Sequence, residues 1–141
     1  MEDRLQKFRE AQTFAYSQAL QEIRNGRKTG HWIWFIFPLM RGLGHSYMSD
    51  YFGIEDMKMA RAYLADPLLG ARLIEITSVL LELEENNIHE IMGYPDDLKL
   101  CSSMTLFARA GGAPCFQAVL DRYYQGREDT KTLALLAKNQ C

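Results

Sequence analysis

The sequence predicts a mainly α, single compact domain over residues 1–141, built from about six helices. Three observations carry this reading. Apolar residues recur at three- and four-residue spacing along most of the chain, the signature of helices with one buried face. Asp66-Pro67 stands at the head of the cleanest such stripe, an aspartate cap followed by a proline whose missing donor costs nothing in a first turn. Only one stretch, Trp32-Ile33-Trp34-Phe35-Ile36-Phe37, has strand-like composition, so a short strand there stays open beside a buried turn of helix.

In chain order, Leu5, Phe8, Ala15, Ala19 and Ile23 share a helical stripe that Gly26 ends. The basic loop Arg27-Lys28-Thr29-Gly30 leads into the aromatic segment, which Pro38 closes. Gly42-Leu43-Gly44-His45-Ser46 reads as a glycine-rich turn. A helix over about 55–65 keeps Met57, Ala60, Arg61 and Leu64 in register, and the helix opened by Pro67 carries Leu69, Leu73, Ile76, Val79, Leu80 and Leu83. A loop at Asn86-Asn87 and a short turn ending at Gly93 follow. Pro95 then opens a helix to about residue 107. After the break Gly111-Gly112-Ala113-Pro114, one helix carries Phe116, Val119, Leu120 and Tyr123 and closes at Gly126. Asp129 or Thr130 starts the last one, through Leu136.

The composition narrows the function classes. A net charge of -2 disfavours nucleic acid as a partner. No apolar run reaches the length of a membrane span, and Met1-Glu2-Asp3-Arg4 is not the start of a secretory signal. Cys101, Cys115 and Cys141 make an odd count without a Cys-x-x-Cys pair, which fits a reducing compartment. Cytoplasmic localisation is the resulting expectation. No cofactor or metal is called for, no membrane contact is expected, and homo-oligomerisation stays open.

Two stretches are candidates for a site. On a helix beginning near Asp96, a 100° step places Asp96, Lys99, Ser102 and Ser103 within roughly a third of the circumference. A carboxylate, a cation and two hydroxyls together suit a phosphate or ribose, or acid–base work; a solvated polar face is the plainer alternative. In the aromatic stretch, Trp32 and Trp34 would share one face of a strand, beside Lys28 and His31, and so stack a planar ring. The plainer alternative is a pair of core anchors. Gly42-x-Gly44-x-Ser46 lacks the full phosphate-loop pattern, and His89-Glu90 lacks the second histidine of a zinc-protease helix. Glu82, Glu84 and Glu85 crowd a helix C-terminus, where the macrodipole disfavours them.

The run His31-Trp32-Ile33-Trp34-Phe35-Ile36-Phe37-Pro38, with Gly42-Leu43-Gly44-His45-Ser46, Ala62-Tyr63-Leu64, Asp97-Leu98-Lys99-Leu100 and Ser102-Ser103-Met104-Thr105-Leu106-Phe107, closely resembles the domain-of-unknown-function family numbered eighteen-ten. That family is sometimes mislabelled calpastatin, although calpastatin segments are polar and disordered. It usually carries glutamine after the Phe-Pro pair, where this chain has Leu39. A fainter fold-level likeness is to the NADAR proteins, which act on NAD- and ADP-ribose-derived substrates and N-glycosidic bonds.

The eighteen-ten family brings no established activity. The NADAR likeness implies a small soluble enzyme or binding protein for a nucleotide- or ADP-ribose-like ligand, with N-glycosidic hydrolysis as the reaction of the enzyme version. Trp32 or Trp34 would stack a ring, Lys28 and Lys99 would hold phosphate, and Ser102, Ser103 and Thr105 would meet ribose hydroxyls or a developing oxyanion. Asp96 or Asp97 would stabilise an oxocarbenium-like transition state or activate water. The alternative from another class is a non-catalytic interaction or scaffold domain, with an apolar patch including Tyr123 and Tyr124 as its contact.

Overall fold

The computed structural model describes residues 3–111 and 113–139. Gly112 and Cys141, which figured in the sequence reading, lie outside the described residues, as do Met1 and Glu2. The described chain is mainly helical and forms one compact domain. It contains α1 (Gln6–Arg24), α2 (Ile33–Ile36), α3 (Tyr47–Tyr51), α4 (Met57–Ala65), α5 (Pro67–Glu82), α6 (Ile88–Met92), α7 (Asp96–Ala110), α8 (Pro114–Tyr124) and α9 (Thr130–Lys138). The expectation of about six helices is thus corrected to nine among the described residues. The additional ones, α2, α3 and α6, are single turns too short to show a period in sequence.

The Trp-rich segment is not a strand, and no strand occurs among the described residues beyond an isolated parallel bridge between Met40 and Ile54. The N–H groups of Phe35 and Ile36 donate to the Trp32 carbonyl, and that of Phe37 donates to Ile33, at 3.0–3.3 Å. A helical turn satisfies these groups locally, whereas a strand would need a partner that the chain does not supply. The turn stops at Phe37, whose φ of −122° and ψ of 76° have left the helical region ahead of Pro38, as a residue before proline must.

Side-chain caps fix where several helices begin. Asp56 accepts from the Met59 N–H at 2.8 Å, and Asp66 accepts from those of Leu68 and Leu69 at 3.1 and 2.9 Å, with Pro67 in the first turn as the sequence predicted. Each such cap contributes about 1 kcal/mol. At the far end of α5 the missing cation arrives from another helix. The Arg122 guanidinium donates to the carbonyls of Leu81, at 2.6 Å, and of Leu83. It supplies the positive charge that Glu82, Glu84 and Glu85 deny that terminus.

The core is a file of rings. Phe8 of α1 meets Tyr63 of α4 edge-on at 5.3 Å, Tyr63 meets Phe107 of α7 at 5.4 Å, and Phe107 meets Phe116 of α8 at 5.8 Å. Gln12, 1% exposed, donates to the Tyr63 hydroxyl at 3.0 Å and to the Phe35 carbonyl at 2.8 Å, tying α1, α2 and α4 with every group satisfied. α7 is the central element, packed on α4, α6, α8 and α9 and touching α2. Its residues 102–107 are buried without a break, so it has little solvent face.

Candidate functional site

The basic loop after α1 is organised by one carboxylate. Glu22 Oε1 accepts from the N–H groups of Thr29 and Gly30, both at 2.8 Å, and from the indole N–H of Trp32 at 3.0 Å. Burial would push this carboxyl up, but the Gly30 and Thr29 amides, with Gln18 and Trp32, hold it down at about 2. Glu22 thereby turns Trp32 inward, where it is 3% exposed. Lys28 packs its ammonium 4.8 Å from the Trp32 ring centre and 2.6 Å from Asp96 Oδ2.

Asp96 carries a second cation. Lys99, one helical turn further along α7, places its ammonium 3.2 Å from Asp96 Oδ1 and 4.3 Å from the centre of the Trp34 ring. The cluster runs Trp32, Lys28, Asp96, Lys99, Trp34, with a tryptophan at each end and one carboxylate in the middle. Cation–π contacts of this kind contribute about 0.5–2 kcal/mol each. The two tryptophans consequently do not share a face, as a strand would have required. Trp32 is a core anchor and Trp34 is half-buried on the wall of a pocket.

That pocket has a volume of about 340 Å³ and three walls. Trp34, Leu39, Leu43 and Gly44 form one, from α2 and the loop after it; Pro95, just ahead of α7, and Leu98, Lys99, Cys101 and Ser102 of α7 form the second; Tyr124, Asp129 and Lys131 close the third. Gly44 belongs there for steric reasons, because a Cβ would stand 3.2 Å from the far edge of the Trp34 ring and 2.8 Å from Ser49 Cβ. The glycine-rich loop is therefore a close crossing over Trp34. Leu39 and Leu43 make that wall apolar.

The third wall is clipped to α7. Asp129 caps α9 through the Thr132 N–H at 3.1 Å and the Thr132 hydroxyl, and the same Oδ2 accepts from the Ser102 hydroxyl at 3.0 Å. The Asp129 N–H donates to Thr105 Oγ1 at 2.9 Å. Ser102 lines the pocket, while Thr105 is fully buried and serves the clip. Burial, with the Asp129 charge beside it, pushes the Cys101 thiol up to about 11, so this pocket thiol is not a thiolate near neutrality.

Of the residues singled out in sequence, Trp34, Lys99 and Ser102 line the pocket, and Asp96 stands behind Lys99. Lys28 holds Asp96 from the other side and is 5% exposed at its side chain. His31 is exposed and does not line the pocket. Asp97 turns away, 3.6 Å from His89 Nδ1, while its carbonyl accepts from Tyr124 Oη at 2.6 Å. Ser103 points into the core, fully buried, and its hydroxyl has no partner. Tyr123 is buried and donates to the Leu80 carbonyl at 2.5 Å, so it forms no exposed patch with Tyr124. Asp129 and Lys131 escaped the sequence reading as site residues; Asp129 was visible there only as a helix start.

A wider depression of about 550 Å³ lies behind Lys28, lined by Arg27, Glu85, His89 and Glu90 among others. Its acidic and basic groups balance, and it lacks the apolar walls of small-molecule sites. Among the described residues no group of histidine, cysteine, aspartate and glutamate could hold a metal ion, and no helix is long and apolar enough to cross a membrane.

The family described as "Protein of unknown function (DUF1810)" matches residues 2–136. The crystal structure of the conserved hypothetical protein Rv1873 from Mycobacterium tuberculosis is similar, with 51% identity and a TM-score of 0.92. The likeness covers 94% of this chain and 96% of that one. No curated protein matches.

Proposed function

Because the chain belongs to this family of unknown function (DUF1810), which hands down no activity, we propose from the pocket's own chemistry that it binds a small nucleotide- or ADP-ribose-derived molecule. The observation that carries the reading is the meeting of Trp34 and Lys99 at 4.3 Å in the wall of a largely apolar cavity. Leu39, Leu43 and Leu98 offer a surface for a ring, and Lys99, Ser102 and Lys131 offer the few polar contacts that orient a ligand. The ammonium already occupies the Trp34 ring face. Trp34 therefore acts as a flat wall that steadies the cation, rather than as half of a sandwich around the ring.

Binding is favoured over glycosidic cleavage. Asp96 does not line the pocket, and each of its oxygens holds a lysine. Asp97 is turned towards His89. The carboxylate that reaches the pocket, Asp129, already caps α9.

A thermal-shift series with NAD, ADP-ribose, nucleotides and nucleosides tests this. A ligand at a hundred times its Kd stabilises by about 2.7 kcal/mol, which raises Tm by several degrees. The expected result is a rise that Lys99→Ala abolishes. The absence of any rise at millimolar ligand would sink the proposal and leave the interaction-module reading.

A further inference from the structure

The charges around the pocket do not balance. Among the residues that line it, Lys99 and Lys131 supply two ammonium groups against the one carboxylate of Asp129. One positive charge is left over, on a chain whose net charge is -2. Asp96 is divided between Lys28 and Lys99, so Lys99 is only partly compensated. Asp129 spends Oδ2 on Ser102 and Thr132. Lys131 is exposed and has neither an ion pair nor a side-chain hydrogen bond among the described residues. It lies in the first turn of α9, whose N-terminal amides the Asp129 carboxylate already caps. Two cations from different helices thus border one cavity, and the rest of its lining is largely apolar.

Size sets a second limit. At about 340 Å³ the pocket lies at the small end of ligand sites, which run from roughly 300 to 1,000 Å³. A volume of this size matches a mononucleotide better than a dinucleotide.

We propose that the ligand is a nucleoside monophosphate, its base and sugar against the apolar walls and its phosphate held between Lys99 and Lys131. This rests on the nucleotide reading above and narrows it to one charge pattern and one length. Lys131 becomes a specificity residue: it recognises the terminal phosphate and so separates a monophosphate from the bare nucleoside.

Isothermal titration of the full chain with the four common 5′-monophosphates, their nucleosides, NAD and ADP-ribose tests the proposal, repeated on Lys131→Ala and Lys131→Arg. The expected result is at least one monophosphate bound tenfold or more tightly than its nucleoside, and more tightly than NAD or ADP-ribose. Lys131→Ala should lose about tenfold with an unchanged Tm, Lys131→Arg should keep most of the affinity, and added salt should weaken binding. Equal affinity for nucleoside and monophosphate, or an unaffected Lys131→Ala, would overturn the clamp. Tighter binding of NAD or ADP-ribose would overturn it while leaving the nucleotide reading intact. Silence from every probe would remove both.

Discussion

Lys28 and Lys99 are held by the same carboxylate: Asp96 offers Oδ2 to Lys28 at 2.6 Å and Oδ1 to Lys99 at 3.2 Å. The arrangement is asymmetric in its dependence. Each lysine relies on Asp96, but Asp96 keeps a partner if either lysine is lost. Asp96→Asn should therefore cost about 3 kcal/mol, since it strands the Lys28 ammonium, only 5% exposed, without a counter-charge. Lys28→Met should cost about 1 kcal/mol, because Lys99 still pairs with the aspartate. Urea midpoints of the two variants give the order directly, and a Lys28→Met loss equal to or above that of Asp96→Asn would refute the shared-carboxylate account.

Acid should act through Glu22. Its carboxyl titrates at about 2 in the fold against an ordinary value of 4.5, so on acidification the unfolded chain takes up this proton first. The stability it contributes is complete above about pH 4.5 and is lost as pH falls from there through about 2. Glu22→Gln, which keeps an acceptor but removes the charge, should cost about 1–2 kcal/mol at pH 7. The gap between wild type and variant should close between pH 5 and pH 2; a gap independent of pH contradicts the role assigned to the charge.

Gly70 tests packing against propensity. It lies inside α5, where alanine would ordinarily gain about 1 kcal/mol. A Cβ there would stand 2.1 Å from the carbonyl oxygen of Leu64, a backbone atom that cannot swing away. Gly70→Ala should lower stability by about 3 kcal/mol as α4 and α5 are forced apart. A variant as stable as wild type in a thermal melt would show that the two helices part without strain.

Ser103 gives the opposite sign. Its hydroxyl is fully buried and unpartnered, so its desolvation is uncompensated. Ser103→Ala should raise stability by about 1 kcal/mol, helped by the better helix propensity of alanine. Ligand affinity should not change. A fall in affinity would place this hydroxyl in the site after all.

The last two cases show where the sequence was legible. Periodicity and caps located α5, α8 and α9 well, because apolar spacing, Asp66-Pro67 and Asp129 act within one element. Ser103 went astray because a helical-wheel argument assumes a solvent side, and α7 is enclosed by other helices. Trp32 and Trp34 were paired on a period of two that a six-residue apolar run cannot distinguish from a turn of helix. Glu22, Gln12 and Arg122 drew no notice in sequence. Glu22 satisfies backbone groups of the loop beyond its own helix, and Gln12 and Arg122 satisfy those of segments far along the chain; no local pattern marks either. Half of the pocket was visible as the tryptophan and Lys-x-x-Ser stretches, but its third wall emerges only when α9 lies on α7.

That third wall has a thermodynamic character of its own. Only Thr132 and Leu136 of α9 are buried, and the Asp129 clip supplies much of the rest of its attachment. The α9 amides should accordingly exchange with solvent through a shallow opening, far short of global unfolding, while those of α7 wait for the whole fold to open. Each such excursion carries Asp129 and Lys131 away and dissolves the cavity without disturbing the aromatic core. An occupant bridging α7 and α9 would write its presence into the exchange rates of α9 alone, so a ligand of unknown identity is detectable as protection confined to the last helix.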